Sequence, residues 1–371
     1  MDERRACALL ARTPGLGAGQ LRSAVARLGE LSRVASGQGL LEQRAREEAG
    51  FGPRALTFLA SPPEPLIEAD LGWLESSGAA LLPCTSSRYP AMLASVPGAP
   101  PLLWVLGDEA VLSRPLIAMV GARRSTPAGC VTARRFAATF ARAGVAVASG
   151  LAVGIDAASH SGALTEGTTI AVCAHGLDRV YPPQHRHLAQ RIAERGALVS
   201  RFPPGCVPTR ARFPQRNRDL SAMALGTVVI EAARASGSLL TAHAAMRYGR
   251  SVFAVPGSIH EPLAAGCHEL IRGGARLVQT AEQVLEELDL CAAKQQLASA
   301  SAPESAGAAA RGTLDKDSEI LLDALGFEPV TINTLVERTG LPSGRIASML
   351  LILELRGSVV PHPGGRYCRI P

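Results

Sequence analysis

Three short phrases carry residue types able to hold a polyanion. They are Gly121-Ala122-Arg123-Arg124-Ser125-Thr126-Pro127, Ser149-Gly150-Leu151-Ala152-Val153-Gly154-Ile155-Asp156 and Arg210-Ala211-Arg212-Phe213-Pro214-Gln215-Arg216-Asn217-Arg218. In the first, Ser125 or Thr126 can cap a helix that starts at Pro127, leaving backbone N–H donors and partial positive charge for an anion. Arg123 and Arg124 add guanidinium forks that match phosphate oxygens. In the second, Gly150 and Gly154 allow close backbone approach. Asp156 is read as a cap of the following helix, with a catalytic carboxylate as the alternative. His160 either faces the same crevice or packs as a satisfied polar group. In the third, Phe213 can stack a base while Arg210, Arg212, Arg216 and Asn217 hold the backbone. The competing reading buries Phe213 and Pro214 in the core and pairs the arginines with acids. Beyond Glu231, Ser236-Gly237-Ser238 opens another helix and offers an anion site at Gly237 and Ser238.

Strands and helices must bring these phrases together. Short apolar runs occupy Leu116–Val120, Val145–Ser149, Thr169–Ala174, Ala197–Arg201, Thr227–Ala232 and Ser251–Val255, with amphipathic stretches such as Cys130–Ala143 and Gln184–Arg195 between several of them. Near-continuous apolar strands alternating with helices indicate a doubly wound, mostly parallel α/β sheet. Gly121, Gly150, Gly237 and Gly257 then gather at one sheet edge, where open α/β sheets hold ligands. The first turn lacks GxGxxG, so the dinucleotide fingerprint is absent.

The bulk numbers bound the partner. The chain has 371 residues, 47% of them hydrophobic, a net charge of +6 and a pI near 9.1. Of 38 basic residues only Lys294 and Lys316 are lysine. GC-rich codon usage explains that bias but not the clustering. Met119 to Gly144 and Arg201 to Arg218 each hold five arginines and no acid, which favours a phosphate-bearing partner. The 8 cysteines are scattered without CxxC, indicating reduced thiols, no metal site and a cytoplasmic protein. His185-x-His187 is read as a solvated pair rather than a ligand pair. No signal peptide or bilayer-spanning apolar run is evident.

The expected organisation has four parts. Residues 1–65 form an N-terminal helical, SAM/helix-hairpin-helix-like module. Its Thr13–Gly19 turn could present N–H groups to phosphate or serve as an ordinary helix connection. Pro62-Pro63-Glu64-Pro65 marks a linker, and residues 66–290 hold the sheet. Residues 291–312 are an Ala/Ser-rich flexible linker. Residues 313–371 give three helices, Ser318–Leu325, Ile332–Thr339 and Arg345–Arg356, and a hairpin of Ser358–Pro361 and Arg366–Ile370, a winged-helix-like outline.

From about Leu102 to Leu288 the ordered phrases resemble the DNA-processing protein A (DprA/Smf) family. They include Val120-Gly121-Ala122-Arg123, Ser149-Gly150-Leu151-Ala152, Gly154-Ile155-Asp156, Gly176-Leu177-Asp178, Tyr181-Pro182, Phe213-Pro214-Gln215-Arg216-Asn217-Arg218, Glu231-Ala232-Ala233, Ser236-Gly237-Ser238-Leu239 and Ala254-Val255-Pro256-Gly257. The resemblance implies an extended Rossmann domain that binds single-stranded DNA, and a homodimer that loads the RecA recombinase during natural transformation. It implies no catalytic turnover and no cofactor. It places the DNA pocket at Arg123, Arg210 and Phe213. Departures from the family pattern are Val153 for arginine, Arg201 for glutamate, His268 for asparagine, and a more polar phrase starting at Asp219. The rival reading is a nucleotide-binding protein or nucleotide N-glycosidic hydrolase of the LOG/lysine-decarboxylase-like class. Against it, Pro256-Gly257-Ser258 is not followed by Gly-Thr, and Glu231 precedes its glycine turn rather than following it.

Overall fold

The computed structural model describes residues 1–36, 39–290, 316–326, 329–362 and 364–370. The expected linker at 291–312 lies outside them. Six helices lead the chain: α1 (Glu3–Arg12), α2 (Ala18–Leu28), α3 (Leu31–Ala35), α4 (Leu40–Glu48), α5 (Pro53–Ala60) and α6 (Glu64–Ser77). The segment Pro62–Pro65, expected as a linker, instead starts α6. Pro65 sits in its first turn, where a missing N–H costs nothing. Arg12 clamps α1 to α6 through the fully buried Asp70, and also donates to the Pro204 carbonyl at 2.9 Å.

Several N–H donors of the Thr13–Gly19 turn are spent inside the fold. Gly17 N–H goes to Gln20 Oε1, Ala18 N–H to the Ala99 carbonyl and Leu16 N–H to the Thr13 carbonyl. It is a helix connection packed on the sheet domain, and its phosphate reading is not supported.

The middle of the chain runs β1 (Ala80–Pro83), α7 (Ala91–Ala94), β2 (Leu102–Gly107), β3 (Leu116–Val120), α8 (Pro127–Arg142), β4 (Ala146–Ser149), α9 (Ile155–Glu166), β5 (Thr169–Cys173), α10 (Arg186–Arg195), β6 (Ala197–Ser200), α11 (Arg212–Met223), β7 (Gly226–Val229), α12 (Gly237–Arg247), β8 (Ser251–Ala254), α13 (Ala265–Arg272), β9 (Arg276–Leu277) and α14 (Ala281–Glu287). Among the described residues these strands form one nine-stranded sheet, ordered β1-β2-β6-β5-β4-β3-β7-β8-β9. β6 to β9 are joined in parallel, and β1 and β2 add an antiparallel edge. Every residue of β3, β4, β5, β6 and β7 is buried, which is why each reads as an apolar run rather than an alternating one. Chain order reverses direction at β3, whose neighbours are β4 and β7. That is the switch point where a crevice opens beyond the strands' carboxyl ends. Side chains of the N-terminal helices, including Leu9, Leu10, Leu21 and Ile67, share one buried cluster with Leu220, Leu239 and Leu270 of the sheet domain.

The tail forms α15 (Lys316–Leu325), β10 (Val330–Thr331), α16 (Ile332–Thr339), α17 (Ser343–Leu355), β11 (Val359–His362) and β12 (Arg366–Arg369), with strands ordered β10-β12-β11. Leu321, Leu325, Leu335, Ile346, Leu350 and Leu353 supply a separate core. This is a winged helix, as its sequence outline indicates. Its third helix carries Leu351, Ile352 and Leu355 outward, and Arg345 pairs with Asp317. That face is apolar rather than basic.

Candidate nucleic-acid interface

A cavity of about 710 Å³ opens at the switch point. The loop after β3 supplies Gly121, Arg123 and Arg124, and the start of α12 supplies Gly237 and Ser238. The chain entering α11 adds Arg210, followed on the helix by Phe213, Arg216 and Asn217. Nine of the sequence-nominated residues therefore line one space. Arg123, Arg124 and Arg210 are exposed and have no carboxylate partner among the described residues. Phe213 is half-buried in the same cavity, with the Arg123 guanidinium carbon 5.3 Å and that of Arg216 5.9 Å from its ring centre.

Three nominated residues lie outside the cavity. Arg212 turns away, its guanidinium over Phe202 at 5.3 Å and donating to the Val207 carbonyl. The reason is helical periodicity. α11 starts at Arg212, so Phe213, Arg216, Asn217 and Leu220 share one face and Arg212 is carried off it. Gly150 does not touch the cavity. A Cβ there would collide with the Arg216 guanidinium, so this glycine makes room for a buried arginine rather than a ligand. Gly154, at φ 80°, packs against the Ala122 and Arg123 backbone. It brings the second loop against the first and so props the arginine loop from behind.

Arg216 lies beneath the cavity floor, 5% exposed. It donates to the Val172 carbonyl at 3.3 Å, and its Nε has no partner. Burial pulls its pKa down, and the nearby Asp156 carboxylate opposes that shift. Burial likewise pushes Asp156 up, against the opposing charge of Arg216. Asp156 accepts N–H bonds from Gly150 at 3.1 Å and Ala152 at 3.3 Å. It thus holds the β4–α9 turn from inside the first turn of α9, rather than capping that helix as expected. Leu151, at φ 60°, sits in this turn, and its carbonyl accepts from His185 Nδ1 at 2.8 Å.

His160 is fully buried 2.8 Å from Thr169 Oγ1, whose own proton goes to the Val147 carbonyl. His160 Nδ1 therefore donates to Thr169. Burial lowers its pKa to about 3, so the ring is neutral. It packs as a polar core residue.

Glu231 holds the loop that leads into α8. Its carboxylate accepts the Thr126 N–H at 2.9 Å and the Thr126 hydroxyl at 2.5 Å, while Thr126 Oγ1 caps α8 by accepting from Gly129 N–H at 2.9 Å. The cap predicted at Thr126 forms, but Glu231 already supplies the anion at the α8 N-terminus, so that helix end is not a free phosphate site. Burial raises the Glu231 pKa, and the bonds from Thr126 oppose the rise. The helix end that opens on the cavity is that of α12, where Ser236 caps by accepting from Ser238 N–H at 3.4 Å and Gly237 is exposed. Asn217 Nδ2 donates to the Gly237 carbonyl at 3.3 Å, tying α11 to this turn.

Two departures from the family pattern meet in space. Arg201 forms a two-pronged pair with the buried Asp219, both bonds at 2.7 Å. Each change supplies the partner the other requires, because a lone buried charge would be costly. His268 Nε2 lies 3.0 Å from the Gly257 carbonyl. Val153 lies outside the cavity, and nothing in the structure explains the missing arginine.

A crevice lined by exposed arginines and a half-buried aromatic, on a doubly wound sheet that precedes a winged helix, defines a Rossmann-like α/β protein with a C-terminal winged helix. Comparison with known proteins narrows this. The model of the DNA recombination-mediator protein A family matches residues 80–289, and that of the DprA winged helix domain matches residues 302–365. Protein Smf of Escherichia coli (strain K12) is 37% identical over 330 residues, covering 87% of this chain and 86% of its own. DNA processing protein DprA of Bacillus subtilis (strain 168) is 37% identical over 226 residues, covering 60% and 76%. The X-ray structure of DprA from Streptococcus pneumoniae aligns with a TM-score of 0.64 at 32% identity, covering 77% of this chain and 98% of that one. DprA from Helicobacter pylori, whose structure addresses its single-stranded DNA binding mode, aligns at 0.52 with 27% identity, covering 57% and 95%. The chain belongs to the DNA recombination-mediator protein A (DprA/Smf) family. Among the described residues no helix is long and apolar enough to cross a membrane.

Proposed function

We propose that the cavity binds single-stranded DNA without chemical turnover, and that the protein hands the strand to a RecA recombinase in natural transformation. The observation that carries the first part is that Arg123, Arg124 and Arg210, unpaired with any acid among the described residues, line one cavity with half-buried Phe213. Unpaired guanidinium groups favour phosphate, while an aromatic face takes any base, so the site tracks a strand rather than reading its sequence. The related Helicobacter pylori protein is described as binding single-stranded DNA. Family membership supports the recombinase step, a homodimer and a cytoplasmic location.

Against hydrolysis, the Glu231 carboxylate is committed to Thr126, Asp156 to its own loop, and His160 is buried and neutral. A glycosidase would need a carboxylate and a proton donor flanking the sugar. Photocrosslinking of a halouracil oligonucleotide should label the peptide spanning 210–217, and labelling confined to 316–370 would refute the assignment. Recombinase loading is tested separately, by whether the protein speeds RecA filament growth on a strand already coated by single-strand-binding protein. No acceleration would overturn that step alone.

A further inference from the structure

We propose that Tyr181 is a second base-stacking platform, so that the cavity holds two successive unpaired bases, one against Tyr181 and one against Phe213. The inference rests on the reading of the cavity as a single-strand site. Tyr181 lines that cavity and is 40% exposed, a large aromatic surface to leave to solvent. Its ring centre is 6.2 Å from that of Phe213, with the planes inclined at 61°. Rings at that angle cannot both lie flat on one base, so each takes its own.

Phe213 is also the more covered of the two, with Arg123 and Arg216 both within 6 Å of its ring. No guanidinium is stacked on Tyr181 among the described residues, so its face is open to a ligand. The ring is also held in place. It packs edge-on against buried His175, with centres 6.4 Å apart, and His175 Nδ1 donates to the Gly176 carbonyl at 2.9 Å. Gly176 N–H bonds to the Cys206 carbonyl, and Asp178 accepts from Gly205 N–H at 3.0 Å. The loop bearing Tyr181 is thereby tied to the segment that leads into α11 and Phe213. A platform fixed before binding loses little entropy when a base arrives.

The test is oligothymidylate binding at several salt concentrations by the full chain and its variants. Tyr181→Ala should weaken binding about 5- to 150-fold, from the roughly 1–3 kcal/mol of one base stack. The salt slope should not change, because no charge is removed. Tyr181→Phe should stay within about twofold of wild type, since the ring rather than the hydroxyl acts. Tyr181→Leu keeps apolar bulk and covers the case in which the alanine variant fails to fold. It should still lose affinity while melting near wild type. Wild-type affinity in Tyr181→Leu, or a Tyr181→Phe loss as large as that of alanine, would overturn the proposal. If Phe213→Ala weakens binding while the Tyr181 variants do not, only the second platform is refuted. If neither aromatic matters, the single-strand reading of the cavity falls as well.

Discussion

Replacing Phe213 with alanine separates a ligand-stacking ring from a packing ring. A fully buried Phe→Ala change costs about 3–5 kcal/mol of stability, so a half-buried ring should cost roughly half of that, about 1.5–2.5 kcal/mol. Part of this is the contact with the Arg123 guanidinium at 5.3 Å, worth about 0.5–1 kcal/mol at an exposed site. At about 2–4 °C per kcal/mol for a domain of some 200 residues, melting should fall by less than about 10 °C, leaving the protein folded at room temperature. Binding should lose one base stack, about 1–3 kcal/mol or roughly 5- to 150-fold in Kd. Fluorescence anisotropy of a labelled oligothymidylate, at three salt concentrations, reads both affinity and slope. The slope should be unchanged. Phe213→Leu should recover most of the melting loss but little of the affinity, because leucine fills the space without offering a π face. If affinity per folded molecule is unchanged in both variants, Phe213 is a packing residue and the reasoning is wrong. A slope flattened by about 0.7 would mean that the ring acts by positioning an arginine on a phosphate.

The other predictions follow from where the side chains point. Arg210→Ala should weaken single-strand binding and flatten the salt slope by about 0.7, whereas Arg212→Ala, which faces Phe202, should change neither. The same titration checks both, and a larger effect at Arg212 would show that the α11 register is misread. Glu231→Ala removes the acceptor for the Thr126 N–H and hydroxyl and should cost about 2–3 kcal/mol, seen as a melting point lower by roughly 5–10 °C. Glu231→Gln should keep DNA binding. Base release from nucleoside monophosphates by the wild type, abolished by Glu231→Gln, would overturn the non-enzymatic reading. A chain ending at Leu290 should keep most single-strand affinity, since the outward face of α17 is apolar rather than basic. Loss of that affinity would place the main site in the winged helix.

Much of the architecture is readable because burial leaves a pattern. β3 to β7 are covered on both faces, so their sequences are apolar throughout and their ends, where the glycines and arginines lie, stand out. The winged helix is legible for the same reason, from the spacing of Leu321, Leu335, Ile346 and Leu353. What eludes the sequence depends on tertiary geometry. Pro214 in the first turn of α11 obscures a helix that decides which arginines reach the cavity. Tyr181 sits far from Phe213 in the chain and meets it only because the Gly176 and Cys206 segments are hydrogen-bonded. Glu231 bonds to α8 rather than α12 because β7 lies beside β3, which a strand-by-strand reading does not specify. Arg201 and Asp219 look like two unrelated departures until the fold brings Asp219 of α11 to the residue that follows β6 and pairs them.

The most direct test of the account is a titration of single-stranded against double-stranded DNA of equal length over a range of salt concentrations, using wild type, Arg123→Ala and Arg210→Ala. Three unpaired arginines engaging phosphates should give a log–log slope of about −2 on single strands, at about −0.7 per contact. Single strands should bind more tightly than duplex at every salt, and each substitution should bring the slope closer to zero. Equal affinity for duplex, or a slope that neither substitution alters in folded protein, would contradict the assignment of this cavity as the DNA site.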